Sequence, residues 1–331
     1  MTKIAIFSIH AFEKPYLIAA NHNRYEFVFI DEALNAATAV LAKGCNGVAV
    51  FTSDDVSADV LKKLKEEKVS FVVTRSAGYD HIDLPVAKKL GIRIANVPEY
   101  SPHAIAEHTV AMMLALDRHL IRSDNKVKHN DFSINDLVGF NLHNKTVGII
   151  GTGRIGAVVC KILFGFGCRL LAYDIEQNET LISKYGLQYV TLDQLCRESE
   201  IISLHTPLNP QTTYIINQEK INLMKDGVML INTSRGKLIN TGEVLSALKS
   251  GKIGYLGMDV YEKEKSLFLH DHSQTGINDP VLTELIGMDN VLITAHHAFL
   301  TKEALKNIAD TTLDNINCFS LEQVNPRQLN D

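Results

Sequence analysis

The sequence predicts an α/β fold made of two doubly wound parallel sheets, each in its own domain. Three observations predict it. Short β-branched runs alternate with helix-period stretches in two series, residues 4–96 and 146–294, the pattern of βαβ units and parallel sheets. The motif G-x-G-x-x-G opens the second series rather than the first. A last helical stretch, 301–319, follows the final strand and is placed to return to the first domain. Two crossings between domains imply a hinge over a cleft, a common place for a ligand site.

The elements follow in order. Ile4-Ala5-Ile6-Phe7 reads as the first strand and is too short an apolar run for a leader. Strands at 27–30, 48–51, 71–74 and 93–96 follow, with helices at 57–67 and 84–90 between them. Ser101-Pro102 then opens a long helix running towards Arg122. Ser is a good N-cap and Pro is favoured at the first helical position. Ile105, Val110, Met113, Leu114 and Leu120 give this helix its burying face. A polar segment, 125–136, precedes the second series, whose strands are 147–150, 170–173, 201–204, 228–232, 255–258 and 291–294. The expected domains are 1–100 with 299–331, and 101–298.

Composition sets the limits. The 331 residues carry 33 Lys+Arg and 38 Asp+Glu, a net charge of −5, and 46% hydrophobic residues. That composition argues against disorder and against a broad nucleic-acid footprint, which is basic. The most apolar stretch, 146–167, is broken by Arg154, Lys161 and six glycines, so no transmembrane span is expected. The five cysteines are scattered, none in a C-x-x-C pair, as in a cytoplasmic protein with reduced thiols.

The fingerprint carries the strongest signal. Val147-Gly148-Ile149-Ile150 is a strand running into Gly151-Thr152-Gly153-Arg154-Ile155-Gly156, and 157–166 continues as an amphipathic helix. Gly151 permits the tight turn, Gly153 lets a pyrophosphate approach the backbone, and Gly156 lets helix pack on strand. The helix N-terminus presents N–H groups to the phosphates. The next strand ends in Asp174, 18 residues past Gly156, where an acid binds the adenosine ribose hydroxyls and repels a 2′-phosphate. NAD(H) is therefore the expected cofactor.

Three later strands end in charged groups: Asn232-Thr233-Ser234-Arg235-Gly236, Gly257-Met258-Asp259-Val260-Tyr261-Glu262-Lys263-Glu264, and Ala295-His296-His297. Ligands of doubly wound sheets bind beyond the carboxyl ends of the strands. Arg, Glu and His could meet there, and by chemistry alone either histidine could be the acid.

These stretches, with 148–156, Ser203-Leu204-His205-Thr206-Pro207-Leu208 and 296–301, resemble the D-2-hydroxyacid dehydrogenase family over essentially the whole chain. Within it they are most similar to the fermentative, NADH-dependent D-lactate branch. The resemblance implies a flavodoxin-like substrate domain and a Rossmann NAD domain, and reversible reduction of pyruvate to D-lactate. It selects Arg235, Glu264 and His296 as the catalytic set, at intervals of 29 and 32 residues. His296 would donate and accept the proton, Glu264 would orient it, and Arg235 would bind and polarise the keto acid. Substrate contacts are implied at Ala77, Gly78, Tyr100 and Phe299, together with Arg235 and His296. Cofactor contacts are implied at Gly151, Gly153, Arg154, Ile155, Gly156, Asp174, Thr206, Pro207, Thr212, Thr233, Ser234, Arg235 and Asp259. The helix from Pro102 resembles the family's dimerisation element, so a homodimer at least, or a homotetramer, is expected. No metal, nucleic acid or membrane is implied. His270-Asp271-His272 reads as a solvated loop. Lys265, where many relatives have Pro, and the long loop to Asp279 resemble the lactate branch. Two other readings stand beside this one: a family member acting on a different 2-hydroxy acid, and a non-catalytic NAD(H) sensor of the same fold.

Overall fold

The computed structural model describes residues 1–330 and divides into two compact units, Met1–Ser101 with Leu300–Asp331, and Pro102–Phe299.

In the first unit the strands are β1 (Lys3–Ile6), β2 (Glu26–Phe29), β3 (Gly47–Val50), β4 (Phe71–Thr74) and β5 (Arg93–Ala95). They pair in the order β2-β1-β3-β4-β5, every pair parallel. Three helices connect them: α1 (Lys14–Asn21), α2 (Ala58–Glu66) and α3 (Leu84–Leu90). A parallel sheet is covered on both faces, so its inner strands are apolar throughout. Here Val60, Leu61, Leu64 and Ala87 of α2 and α3 fill one side. Leu17 of α1 fills the other, with Leu313, Ile316 and Phe319 of the C-terminal helix Lys302–Ser320. Thr301 caps that helix, its Oγ1 accepting from Ala304 N.

The second unit begins with α4 (Pro102–Asp117) and α5 (Leu120–Lys128). Its strands are β6 (Thr146–Ile150), β7 (Arg169–Tyr173), β8 (Gln188–Tyr189), β9 (Ile201–Leu204), β10 (Val228–Asn232), β11 (Ile253–Met258) and β12 (Val291–Ile293). The order is β12-β11-β10-β9-β6-β7-β8, again all parallel. Six helices complete it: α6 (Arg154–Gly165), α7 (Glu179–Tyr185), α8 (Leu192–Glu198), α9 (Gln218–Leu223), α10 (Thr241–Ser250) and α11 (Pro280–Ile286). Val110, Met113, Val159 and Leu163 of α4 and α6 cover one face of the sheet. Leu195, Ile221, Val244 and Leu282 of α8 to α11 cover the other.

The single helix expected from Pro102 towards Arg122 is two helices. It stops at Asp117, and the chain turns through His119 at φ 50° before α5. The cause lies at residues 139–140. A Cβ on Gly139 would collide with the Asp117 carbonyl oxygen, and Phe140 N–H donates to the buried Asp117 Oδ1 at 2.6 Å. This crossing strand of chain covers the end of α4, and the helix axis breaks there. The same correction applies downstream, because α5 runs to Lys128, into the segment expected to be polar loop.

Candidate active site

The second unit's sheet order lays its functional residues in a row. Parallel strands end at one edge, and the ends of β12, β11, β10, β9, β6 and β7 carry His296, Asp259 with Glu264, Arg235, Thr206, the glycine turn and Asp174, in that order. Four strand spacings, roughly 19 Å, separate β11 from β7, enough for an extended dinucleotide.

The glycine turn has the expected form. Gly151 sits at φ 94°, and a Cβ there would lie 2.6 Å from His205 O. At Gly156 a Cβ would collide with Gly151 O, so strand and helix touch backbone to backbone. Gly153 differs: a Cβ there would meet nothing within 4 Å. Gly151 and Gly156 are required by protein neighbours, whereas Gly153 keeps clear the space in front of the α6 N-terminus. Arg154 and Ile155 form the first turn of α6.

Asp174 is fixed by four donors. Thr152 N and Oγ1 reach Oδ2 at 2.5 and 3.0 Å, and Ile175 N and Glu176 N reach Oδ1 at 2.7 and 3.4 Å. Partial burial alone would raise its pKa, but these hydrogen bonds outweigh it and hold the carboxyl below the usual range. Ile175 beside it is 94% exposed, an apolar surface next to the acid that sequence reading did not single out. A glycine cradle open on one side and an ionised acid one strand away fit a dinucleotide.

Between these ends, the loops after β9 and β10 are tied together. Ser234 Oγ donates to Thr206 O at 2.7 Å, and the buried Asn232 receives Ser234 N and donates to Arg235 O. Gly236 allows the closest approach: a Cβ there would collide with the backbone joining Tyr261 and Glu262. Thr233 Oγ1 bonds Thr109 Oγ1 of α4 at 2.8 Å. The Thr212 hydroxyl donates to Pro207 O at 2.7 Å and so serves its own loop. Arg235 follows β10 and is partly exposed, with Nη1 donating to Ser234 O at 2.8 Å.

The structure brings Glu264 and His296 together, at Glu264 Oε1 to His296 Nδ1 3.0 Å. Glu264 Oε2 accepts Tyr261 N at 2.9 Å, so both its oxygens are placed. Among the described residues His296 Nε2 has no protein partner. His296 adopts φ 52°, a left-handed conformation uncommon outside glycine and held here by its surroundings. Asp259 supplies that hold. Its backbone oxygen accepts His296 N at 2.7 Å, and its buried carboxylate accepts Thr294 Oγ1, His297 N and Ala298 N at 2.6, 2.9 and 3.0 Å. His108 of α4 in turn bonds Thr294 Oγ1 at 3.0 Å. Thr294, Tyr261 and His108 were not read from sequence. For Thr294 and Tyr261 the one cue was closeness to charged strand ends; His108, within α4, carried none. His297 is exposed and turned from Glu264's position towards His108, its ring 4.8 Å away.

In the first unit, Ala77 and Gly78 lie in the turn after β4. Asn96 Nδ2 donates to Ala77 O and Ser76 Oγ to Gly78 O. Among the described residues the N–H groups of Ala77 and Gly78 have no acceptor, leaving two adjacent backbone donors. Tyr100 O accepts Asn307 Nδ2 at 2.7 Å. Phe299 closes the second unit and is partly buried.

Residues 110–298 match the model of the D-isomer specific 2-hydroxyacid dehydrogenase NAD binding domain. The chain is 46% identical to a 2-hydroxyacid dehydrogenase homolog of Haemophilus influenzae, covering 95% of each. It is 43% identical to the D-lactate dehydrogenase of Escherichia coli over 99% of each. A solved apo-structure of D-lactate dehydrogenase from Escherichia coli superposes with a TM-score of 0.90, covering 99% of this chain and 100% of that one. The Aquifex aeolicus D-lactate dehydrogenase, solved with NAD and lactic acid, gives a TM-score of 0.89 at 35% identity, over 99% of each.

Proposed function

The chain belongs to the D-isomer specific 2-hydroxyacid dehydrogenase family, and we propose that it is a D-lactate dehydrogenase that interconverts pyruvate and D-lactate with NAD(H). The observation that carries this reading is the 3.0 Å pair of His296 Nδ1 and Glu264 Oε1, with Nε2 uncommitted, on the same sheet edge as the dinucleotide turn.

NADH, when bound, supplies the hydride, and NAD accepts it in reverse. The glycine turn with Arg154 and Ile155 would hold the pyrophosphate, and Thr206, Pro207, Thr212, Thr233, Ser234 and Asp259 the stretch towards the nicotinamide. Asp174, kept ionised, would bind the ribose hydroxyls and disfavour NADPH. Arg235 binds the keto acid's carboxylate and polarises its 2-carbonyl, using the guanidinium fork. His296 as imidazolium gives the Nε2 proton to the 2-oxygen during reduction, and as imidazole takes it back during oxidation. Glu264 fixes the ring by its Nδ1 and sets a carboxylate beside the imidazolium of the reduction step. The free N–H pair at Ala77 and Gly78 suits a carboxylate oxygen, and Tyr100 and Phe299 would bound a small substrate.

Two further assignments belong to this reading. The cytoplasm is supported by five free cysteines. A homodimer at least is supported by exposed Leu120, Ile121, Val127, Phe132, Ile134 and Val138, a run of apolar surface along α5 and the chain after it. Light scattering on the purified chain decides the second.

The test of the reaction is loss of NADH absorbance with pyruvate, followed by a chiral assay of the product. D-lactate formation that disappears in His296→Ala is the expected result. Turnover only of bulkier 2-keto acids would reassign the substrate, and NADH binding without turnover would make the chain a sensor.

A further inference from the structure

One cluster of metal-ligating side chains contains two histidines that the chemistry proposed above does not use. His108 of α4, Asp259 after β11 and His297 after β12 place one ligand atom each within 4.8 Å of one another. His108 Nε2 lies 3.7 Å from Asp259 Oδ1, and the two imidazoles meet edge to face with ring centroids 4.8 Å apart.

The electrostatics of the cluster invite a cation. Asp259 is 1% exposed, yet its carboxylate is met only by neutral donors, the Thr294 hydroxyl and the His297 and Ala298 amides. Its ion-pair neighbour among the described residues is His108. Two imidazoles beside one buried carboxylate, with ligand atoms within 4.8 Å of one another, form a donor set that such an ion takes.

We propose that His108, Asp259 and His297 form a site for a divalent transition metal of the zinc class, and that its occupancy inhibits turnover. Two imidazoles and a carboxylate suit Zn²⁺, Co²⁺ or Ni²⁺, and three protein ligands leave a position for water. With metal–ligand bonds near 2.1 Å, tetrahedral ligand atoms lie about 3.4 Å apart. The 3.7 Å between His108 and Asp259 is close to this, and the exposed His297 ring is free to swing in as the third ligand. The inhibitory half rests on the dehydrogenase reading. Asp259 and the His108–Thr294 bond fix the turn that holds His296 at φ 52°. An ion that draws Asp259 Oδ1 and His108 Nε2 to itself takes both atoms from that turn and moves His296 off its line.

Competing ligands are few. Burial pushes the thiols of Cys160, Cys168 and Cys196 up to about 12, 11 and 11, so they are protonated at pH 7. The Glu264–His296 pair is a second candidate in the same region, and the experiment separates the two.

The purified, chelator-treated chain is titrated with Co²⁺, read by its visible absorption, and with Zn²⁺, read by calorimetry and by NADH-dependent turnover of pyruvate. One-to-one binding is expected. His297→Asn and His108→Gln should each weaken it by at least about tenfold. The glutamine keeps a donor for Thr294, and thermal melts check folding. His297→Asn should keep near wild-type metal-free turnover and lose its sensitivity to Zn²⁺. His296→Ala should still bind the metal. Binding that survives both His297→Asn and His108→Gln overturns the site. So does binding lost in His296→Ala and kept in His297→Asn, which would put the ion on the catalytic pair. Binding without inhibition overturns the regulatory half. A chain that binds Co²⁺ through His297 but turns over no 2-keto acid fails the proposed function and leaves the site standing.

Discussion

Each unit holds a charge pair at the carboxyl end of its sheet, and the two are finished differently. In the first unit Arg75 meets both oxygens of Glu13 at 2.9 Å, and its remaining donors go to the carbonyls of Phe7, Ser8 and Ala49. The side chains are 0% and 5% exposed. In the second unit His296 and Glu264 are 22% and 23% exposed, and His296 Nε2 has no protein partner among the described residues. A buried pair is tolerated when every donor and acceptor is satisfied. A pair left one atom short, in reach of solvent, is available for proton transfer. A guanidinium keeps its proton whereas an imidazole can pass one on, and completeness of the hydrogen-bond shell marks the same division.

That contrast is broken most sharply at the two pairs themselves. His296→Ala should lower kcat by about 10²–10⁴ and leave the melting temperature nearly unchanged, as steady-state kinetics and calorimetry would show. Arg75→Met should do the reverse. It strands the Glu13 carboxylate in the interior, which costs about 3–5 kcal/mol of stability, read by urea denaturation. The double change Arg75→Met with Glu13→Leu should recover most of that loss. If the Arg75 variant instead stayed stable and lost turnover, the division of roles between the pairs would be wrong.

Glu264→Gln sharpens the comparison. The amide keeps the shape but removes the negative charge beside His296 Nδ1. The pH profile for pyruvate reduction, measured with a chelator present, should differ from that of the unmodified chain. An Arg75 variant should not move it at all. His205 offers a smaller, stability-only effect within the second unit. Burial lowers its pKa from 6.5 to about 3. Between those values the unfolded chain takes up a proton and the folded one does not. This contribution is therefore favourable above pH 6.5 and is lost as pH falls towards 3, by at most about 1.4 kcal/mol per pH unit. In His205→Asn the acid limb of a stability–pH curve should flatten over that window, with turnover at pH 7 changed less than by any substitution at His296.

Much of this was legible in the sequence, for identifiable reasons. Long apolar strands such as β6 and β10 and the turn at Gly151, Gly153 and Gly156 are local features, and local features survive in one dimension. The intervals between Arg235, Glu264 and His296 were informative only through resemblance. Nothing in Glu262-Lys263-Glu264-Lys265 marks Glu264 as the one residue whose carboxylate is caught between Tyr261 N and His296. Long-range closure was illegible. The end of α4 at Asp117 depends on Gly139 arriving from 22 residues downstream. The short helices α7 to α11 escaped because periodicity needs length. Their caps, Asn178, Thr191, Asn217, Asn240 and Asp279, were the available signal.

The finest test of the comparison is Tyr261, which belongs to both kinds of structure. Its hydroxyl donates to Asp279 Oδ2 at 2.9 Å, while Asp279 Oδ1 caps α11 through Val281 N and Leu282 N. Burial, and then the Asp279 carboxylate, raise the phenol well above its ordinary range, so it remains a donor at every pH of interest. The same residue's backbone N–H holds Glu264 Oε2. Tyr261→Phe removes only the hydroxyl and leaves the backbone bond in place. The expected cost is about 1–2 kcal/mol of stability, with a change in kcat of less than about threefold. If completeness of the shell separates structural pairs from reactive ones, losing this bond should behave like a mild Arg75 variant and leave the pH profile alone. A profile that shifts instead would mean that Glu264 is positioned through the Tyr261–Asp279 bond, and that the reactive shell extends one residue deeper than the pair itself.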